Sequence, residues 1–222
     1  MNLRDYELFI FDCDGTLVDS MPMWGNITYD FADYKGVHAP EGLSTIMNSM
    51  SLHQCADYYV NKLGASGTVE EVANEITEFA AEGYRTKVPE KPSAKAFLNF
   101  LKENGKHIAL ATASDISALK PCLERLGMYD FIEYAASCAT VGKSKEHPDV
   151  YLDCCEHFGI PMEKSIVIED ALYAAKTAKN AGFTLISMAD ECHPKEDSAE
   201  LGKISDVYIS DFAELMKEGE IK

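Results

Sequence analysis

A chain of 222 residues, 46% hydrophobic and 26% charged, has room for a main domain and a smaller insert and reads as an ordinary globular protein. Its formal net charge of −17, from 37 acidic against 20 basic residues, works against a nucleic-acid partner, so an anionic substrate would need local positive charge from a metal or a few placed lysines. No apolar run reaches membrane-spanning length, and the opening "MNLRDYELFIFD" has no apolar leader core, so the expectation is a cytoplasmic protein with no membrane partner.

The first predicted element is a strand, "ELFIF" (7–11). Residues 20–88 then carry no convincing strand. "SLHQ" (51–54) and "TVEE" (68–71) have the capping-box pattern, in which the first side chain and the fourth each satisfy the other's backbone N–H. Leu52, Cys55, Ala56, Tyr59 and Leu63 follow at helical spacing, as do Val69, Val72, Ile76 and Phe79. The segment is expected to be a helical insert of about four helices, with "KVPEKP" (87–92) as the return hinge.

Beyond the hinge, helices and strands alternate. Ala96, Phe97, Phe100 and Leu101 predict a helix stopped by Gly105. "HIALAT" (107–112) predicts the next strand, and a helix over Ile116–Leu126 follows, with a kink or a fresh start expected at Pro121. A helix starting near Pro148, a strand at "SIVIED" (165–170), a helix over Tyr173–Ala181 and a strand at "FTLISM" (183–188) continue the series. "DVYIS" (206–210) is a weaker fifth strand, and Asp211 with Glu214 opens a last helix. Continuous apolar runs suit strands buried on both faces. The expected fold class is therefore α/β: a doubly wound parallel sheet formed by residues 1–19 and 89–222, with a helical domain at 20–88 inserted after the first strand.

In such a sheet, ligands bind at the carboxyl ends of the strands. The first strand ends in Asp12 and Asp14, the second in Thr112 and Ser114, and the "SIVI" strand in Glu169 and Asp170. The loop "GKSKEHPD" (142–149) adds Lys143 and Lys145. Carboxylates gathered at one edge repel one another, and a divalent cation relieves that. Mg²⁺ suits such oxygen ligands, and commonly takes a substrate phosphate as well. A nearby lysine and hydroxyls on the neighbouring strand suit a phosphoryl group, whose transfer needs mainly positioning and charge neutralisation. A carboxylate can itself be the nucleophile. Gly15 allows a tight turn, and strand alternation turns Cys13 away from its acidic neighbours and out of the chemistry. The seven cysteines show no C-x-x-C spacing and read as reduced thiols. Of the histidines, only His147 falls near these residues in the sequence reading, and no role is given to it. Trp24 in "MPMW" has two readings, a residue lining the cleft between insert and sheet domain or, the favoured one, interior of the insert.

These residues resemble the motifs of the haloacid dehalogenase superfamily, in its β-phosphoglucomutase-like phosphatase branch, along nearly the whole chain. "DCDGT" is similar to D-x-D-G-T, "LATAS" to the motif that supplies a phosphate-binding Ser or Thr, "SKEHPD" to S-K-P-x-P-D, and "VIEDA" to the acidic motif. The resemblance implies that Asp12 is the nucleophile and Asp14 the general acid/base. It implies phosphate binding by Thr112 and Lys145, for which Ser114 is a further candidate. Mg²⁺ is then held by Asp12, Asp14 through its carbonyl, and Asp170, with Glu169 as a ligand or a water-mediated partner. The insert resembles the family's mobile cap, and relatives carry substrate-reading residues where "STIMNSMS" (44–51) stands. The chain departs from the pattern at Glu146, in place of proline, at Lys143 two residues before Lys145, and at Ala174, where relatives often have glycine.

The implied function is Mg²⁺-dependent hydrolysis of a small phosphomonoester, a sugar phosphate or similar metabolite, by a monomer. Asp14 and Asp170 argue against dehalogenation and phosphonate hydrolysis, which resemble this fold but depart from the second aspartate. β-Phosphoglucomutase is the rival. However, "IMNSMSL" lacks the basic residue that mutases carry there, and between Ser20 and Tyr84 the only lysines or arginines are Lys35 and Lys62. A phospho-accepting receiver domain, the non-enzymatic alternative, has its acidic pair and phosphoacceptor in a different order and no helical insert.

Overall fold

The structure, a computed structural model, describes residues 1–47 and 50–218. Strand β1 (Leu8–Phe11) is followed by four helices: α1 (Met21–Lys35), α2 (Leu43–Met47), α3 (Leu52–Asn61) and α4 (Val69–Thr86). Next come α5 (Ala94–Glu103), β2 (His107–Thr112), α6 (Ile116–Arg125), β3 (Tyr134–Ser137), α7 (Cys138–Val141) and α8 (Asp149–Phe158). Then β4 (Ser165–Glu169), α9 (Leu172–Ala181), β5 (Thr184–Met188), α10 (Lys195–Ile204), β6 (Val207–Ile209) and α11 (Ala213–Glu218) follow. The chain divides into two compact units, Met1–Asp19 with Pro89–Lys222, and Ser20–Val88.

The first unit is a six-stranded parallel sheet in the order β3-β2-β1-β4-β5-β6. Successive strands step outward from β1 to one edge, then return to its other side. This reversal places a crevice beyond the carboxyl ends of β1 and β4, the ligand position of a doubly wound sheet. All four residues of β1 are buried because both faces are covered. Leu8 and Ile10 join Tyr151 and Cys154 of α8 and Ala175 and Ala178 of α9 in one apolar cluster. On the opposite face, Phe9 and Phe11 meet the Phe97 ring of α5 edge-on, with centroids 6.2 and 6.1 Å apart. Each such side chain contributes about 1.5–3 kcal/mol by leaving water.

Five strands are expected from the sequence and six are found among the described residues. The missing one is β3, "YAAS", an edge strand with two half-buried residues and no β-branched side chain. Its alanines carry no strand signal, and it is held by register with β2, Thr112 lying level with Ser137. Helix α6 runs unbroken through Pro121, so no fresh start occurs there.

The second unit contains only helices among its described residues. Both predicted capping boxes are formed, Ser51 with Gln54 and Thr68 with Glu71. Its core gathers Phe31, Tyr59 and Val72, with Phe31 edge-on to Tyr59 at 5.0 Å and to Phe79 at 5.6 Å. Among the described residues, no helix is long and apolar enough to cross a membrane.

Candidate active site

Asp12 follows β1 directly, and its N–H still donates to the Ile168 carbonyl of β4 at 2.9 Å. The chain then turns sharply. The Cys13 carbonyl accepts from the N–H groups of Leu17 (2.9 Å) and Val18 (3.0 Å), and Gly15 takes φ of 81°, a left-handed value that a side chain would strain. Cys13 is fully buried, and burial pushes its thiol well above the ordinary value, in keeping with a packing role.

Lys145 reaches this turn from the loop before α8. Its side chain is 2% exposed and its Nζ donates to Asp12 Oδ1 and, at 2.6 Å, to Glu169 Oε1 at the end of β4. The Tyr151 hydroxyl also donates to Glu169 Oε1, at 2.9 Å. Lys143, the neighbouring lysine, is exposed and paired instead with Asp149 at 2.7 Å. Glu146 and His147 are exposed as well, so the extra carboxylate at 146 is solvated.

Burial raises the Asp12 carboxyl well above its ordinary pKa; Lys145 opposes this, but Glu169, Asp170 and Asp14 add to it. Burial also raises Glu169, again against Lys145. Burial alone would lower Lys145, yet Asp12 and Glu169 hold it well above the usual lysine value. One ammonium therefore faces more buried negative charge than it can neutralise. Asp12, Glu169 and Asp170 can each present an oxygen within 4.8 Å of the others'. Hard carboxylate oxygens so placed fit a divalent cation of the Mg²⁺ type.

Asp14 is half-buried, and its Oδ2 accepts from Ser114 Oγ at 2.6 Å. Thr112, the last residue of β2, is fully buried, and its Oγ1 accepts from the Ser114 N–H at 3.0 Å. The structure thus brings Asp12, Asp14, Thr112, Ser114, Lys145, Glu169 and Asp170 to one edge of the sheet.

Sequence reasoning missed a contributor there. Asp170 accepts from Thr16 Oγ1 on Oδ1 (3.1 Å) and from His193 Nε2 on Oδ2 (2.8 Å). His193, in the loop after β5, is thus the histidine at the site, whereas His147 points to solvent. The signal was available: the loop after β5 lies at the same sheet edge as the other motifs.

In the helical unit, a cavity of about 600 Å³ is lined by Trp24, Ser44, Met47, Met50 and Leu52 among others. Thr28 Oγ1 is buried beside it without a partner among the described residues. Trp24 is 39% exposed and donates to the Tyr84 hydroxyl at 2.9 Å, so it lies at the rim of this cavity rather than in the interior. Asn48 and Ser49, within the stretch expected to read substrate, lie outside the described residues.

The model of a family described as hydrolase, haloacid dehalogenase-like hydrolase, matches residues 6–182. Among curated relatives, Hexitol phosphatase B of Escherichia coli (strain K12) is 26% identical over 213 residues, covering 93% of this chain and 92% of its own. The Phosphorylated carbohydrates phosphatase of Thermotoga maritima is 23% identical over 96% of this chain and 99% of its own. Among solved structures, a Thermotoga maritima protein provisionally called a beta-phosphoglucomutase superposes with a TM-score of 0.82 at 22% identity, over 96% of this chain and 99% of that one.

Proposed function

Because the chain belongs to the haloacid dehalogenase-like hydrolase family, with a fold of the β-phosphoglucomutase-like branch, we propose that it is a phosphatase that hydrolyses a small phosphomonoester with Mg²⁺ bound, through an aspartyl-phosphate on Asp12. The observation that carries this reading is Asp12 itself: buried, held by Lys145, and within reach of Glu169 and Asp170 in a cluster whose negative charge exceeds its positive. The substrate class, a sugar phosphate or similar metabolite, is supported by the names of the relatives.

In the proposed reaction, an Asp12 oxygen attacks phosphorus in line as the bond to the leaving oxygen breaks. Asp14 gives its proton to that oxygen, so the alcohol departs neutral. Asp14 then takes a proton from water, which attacks the same phosphorus, releasing phosphate and restoring the Asp12 carboxylate. Lys145 and the hydroxyls of Thr112 and Ser114 hold the phosphoryl oxygens, where their positive charge and N–H or O–H dipoles meet developing negative charge. Asp12, the Asp14 carbonyl and Asp170, with Glu169 as ligand or water-mediated partner, would hold Mg²⁺, which would supply further charge neutralisation. Residues 1–19 and 89–222 are assigned as the catalytic core and 20–88 as the cap that selects substrate.

Hydrolysis is favoured over the mutase reaction by the insert's cations. Of the four lysines and arginines in residues 20–88, Lys35 is engaged by Glu75 and largely buried and Arg85 is paired with Glu78 and Glu82, which leaves Lys62 and Lys87, both exposed. A mutase needs a second phosphate held firmly, and an exposed lysine does this poorly. The test is a panel of phosphorylated metabolites assayed for free phosphate with Mg²⁺ and with EDTA. Release that EDTA abolishes is expected; release that survives EDTA, or none from any member, contradicts the reading.

A further inference from the structure

The loop between β5 and α10 is tied down more firmly than its polar sequence, "ADECHP", suggests. Asp190 in it is 7% exposed. Its Oδ2 accepts from Lys91 Nζ at 2.6 Å, and its Oδ1 accepts from the Cys192 N–H at 2.7 Å. Lys91 is itself buried and also paired with Asp19 at 3.2 Å. Ala189 N–H donates to the Ile209 carbonyl at 2.7 Å, and Pro194 stands directly before α10 at the far end. Between these anchors the loop presents one side chain inward: His193, 16% exposed, its Nε2 at 2.8 Å from Asp170 Oδ2.

An ionised carboxylate only accepts, so Nε2 carries the proton and donates. Thr16 Oγ1 donates to the other oxygen, Oδ1, at 3.1 Å. The Asp170 carboxylate is therefore gripped from two separate parts of the chain, one donor on each oxygen. Each oxygen keeps a second lone pair, so the grip fixes the direction in which Asp170 presents its free lone pairs without consuming them.

We propose that His193 is a positioning residue for Asp170, which raises the affinity of the Asp12, Glu169 and Asp170 cluster for a divalent cation by holding that carboxylate in its ligating orientation. The inference rests on the cation-binding reading given above. Groups that orient a metal ligand through a hydrogen bond are typically worth a factor of about 10–100 in metal affinity. What the cation requires of His193 is one N–H donor at the position of Nε2. Glutamine can place its side-chain N–H there, and phenylalanine can fill the ring's space without it.

The test is Mg²⁺ titration of the full chain by calorimetry, with no substrate present, for wild type, His193→Gln, His193→Phe and Asp170→Asn. The expected result is wild-type binding, loss of binding in Asp170→Asn, affinity about 10–100-fold weaker in His193→Phe, and affinity within about 3-fold of wild type in His193→Gln. Folding is checked by melting each variant in EDTA. If His193→Phe fails to fold, the Gln variant decides: affinity more than about 10-fold below wild type in that folded variant overturns the inference. Equal affinity of wild type and a folded His193→Phe also overturns it, and leaves the phosphatase reading standing. No binding by wild type overturns both.

Discussion

Ser114 Oγ donates to Asp14 Oδ2 at 2.6 Å, joining residues 100 apart in sequence. Ser114 stands two residues beyond the end of β2 and Asp14 three beyond the end of β1, strands that lie side by side in the sheet. The nearby Thr112 Oγ1 accepts the Ser114 N–H, so the seryl residue is held as it meets the carboxylate proposed to handle the proton. The one hydroxyl proton is engaged on Asp14, so the hydroxyl orients that carboxylate here and would have to turn from it to donate to a phosphoryl oxygen.

Ser114→Ala separates these two uses. Loss of the contact to Asp14 is expected to lower kcat about 10-fold, some 1.4 kcal/mol of barrier, with KM little changed. The steady-state kinetics of the variant decide it. A raised KM with unchanged kcat would assign Ser114 to phosphate binding alone.

The two lysines of the 142–149 loop differ in surroundings, one buried on Asp12 and Glu169, the other exposed on Asp149. Lys145→Met is expected to lower kcat/KM about 100-fold or more, as the loss of one charge-stabilising donor commonly does. Lys143→Met should stay within about 2-fold of wild type, since an exposed ion pair is worth little. Equal losses in the two variants would refute this division of roles.

Much of this arrangement is legible in the sequence, and the exceptions have physical causes. Strands β1, β2, β4 and β5 carry continuous apolar runs because helices cover both faces of the sheet, and such runs announce themselves. Strand β3 does not, since an edge strand rich in alanine buries too little to need a strong pattern. Likewise Asp12, Lys145 and Asp170 fall in recognisable motifs, whereas His193 lies in a polar loop 23 residues from its partner. Only the pairing of β4 with β5 and the anchoring of the loop by Lys91 and Asp190 bring it to the site.

The Lys91–Asp190 pair makes stability depend on pH. Burial pushes Asp190 up, but the hydrogen bonds from Lys91 and the Cys192 N–H, with the Lys91 charge, bring it below its ordinary value. A carboxyl whose folded pKa is depressed adds stability above its unfolded pKa of about 3.9, and that stability is lost as pH falls through the lower folded value. Asp190→Asn is thus expected to cost about 1–3 kcal/mol at neutral pH, and progressively less as pH drops below about 4. Urea denaturation of both proteins across that range checks it. A difference that does not shrink in acid would show that the pair is not its source.

Ser93 is the one residue other than glycine described with positive φ, at 58°, just ahead of α5. A side chain in the left-handed region costs about 1–2 kcal/mol, and glycine gives back part of the gain through chain entropy. Ser93→Gly should therefore raise stability by about 0.5–1 kcal/mol in urea denaturation. An unchanged or lower midpoint would mean that Ser93 is not strained.

The proposed reaction depends above all on Asp12 forming the bond to phosphorus. Asp12→Asn keeps the size of the side chain and removes the attacking oxygen's charge. Phosphate release by this variant, measured with Mg²⁺ on the best substrate of the panel and with its melting transition confirming the fold, is the most direct test. Turnover at least about 1,000-fold below wild type is expected, in line with the loss of a nucleophile; turnover near the wild-type rate from the folded variant would show that Asp12 does not form the bond.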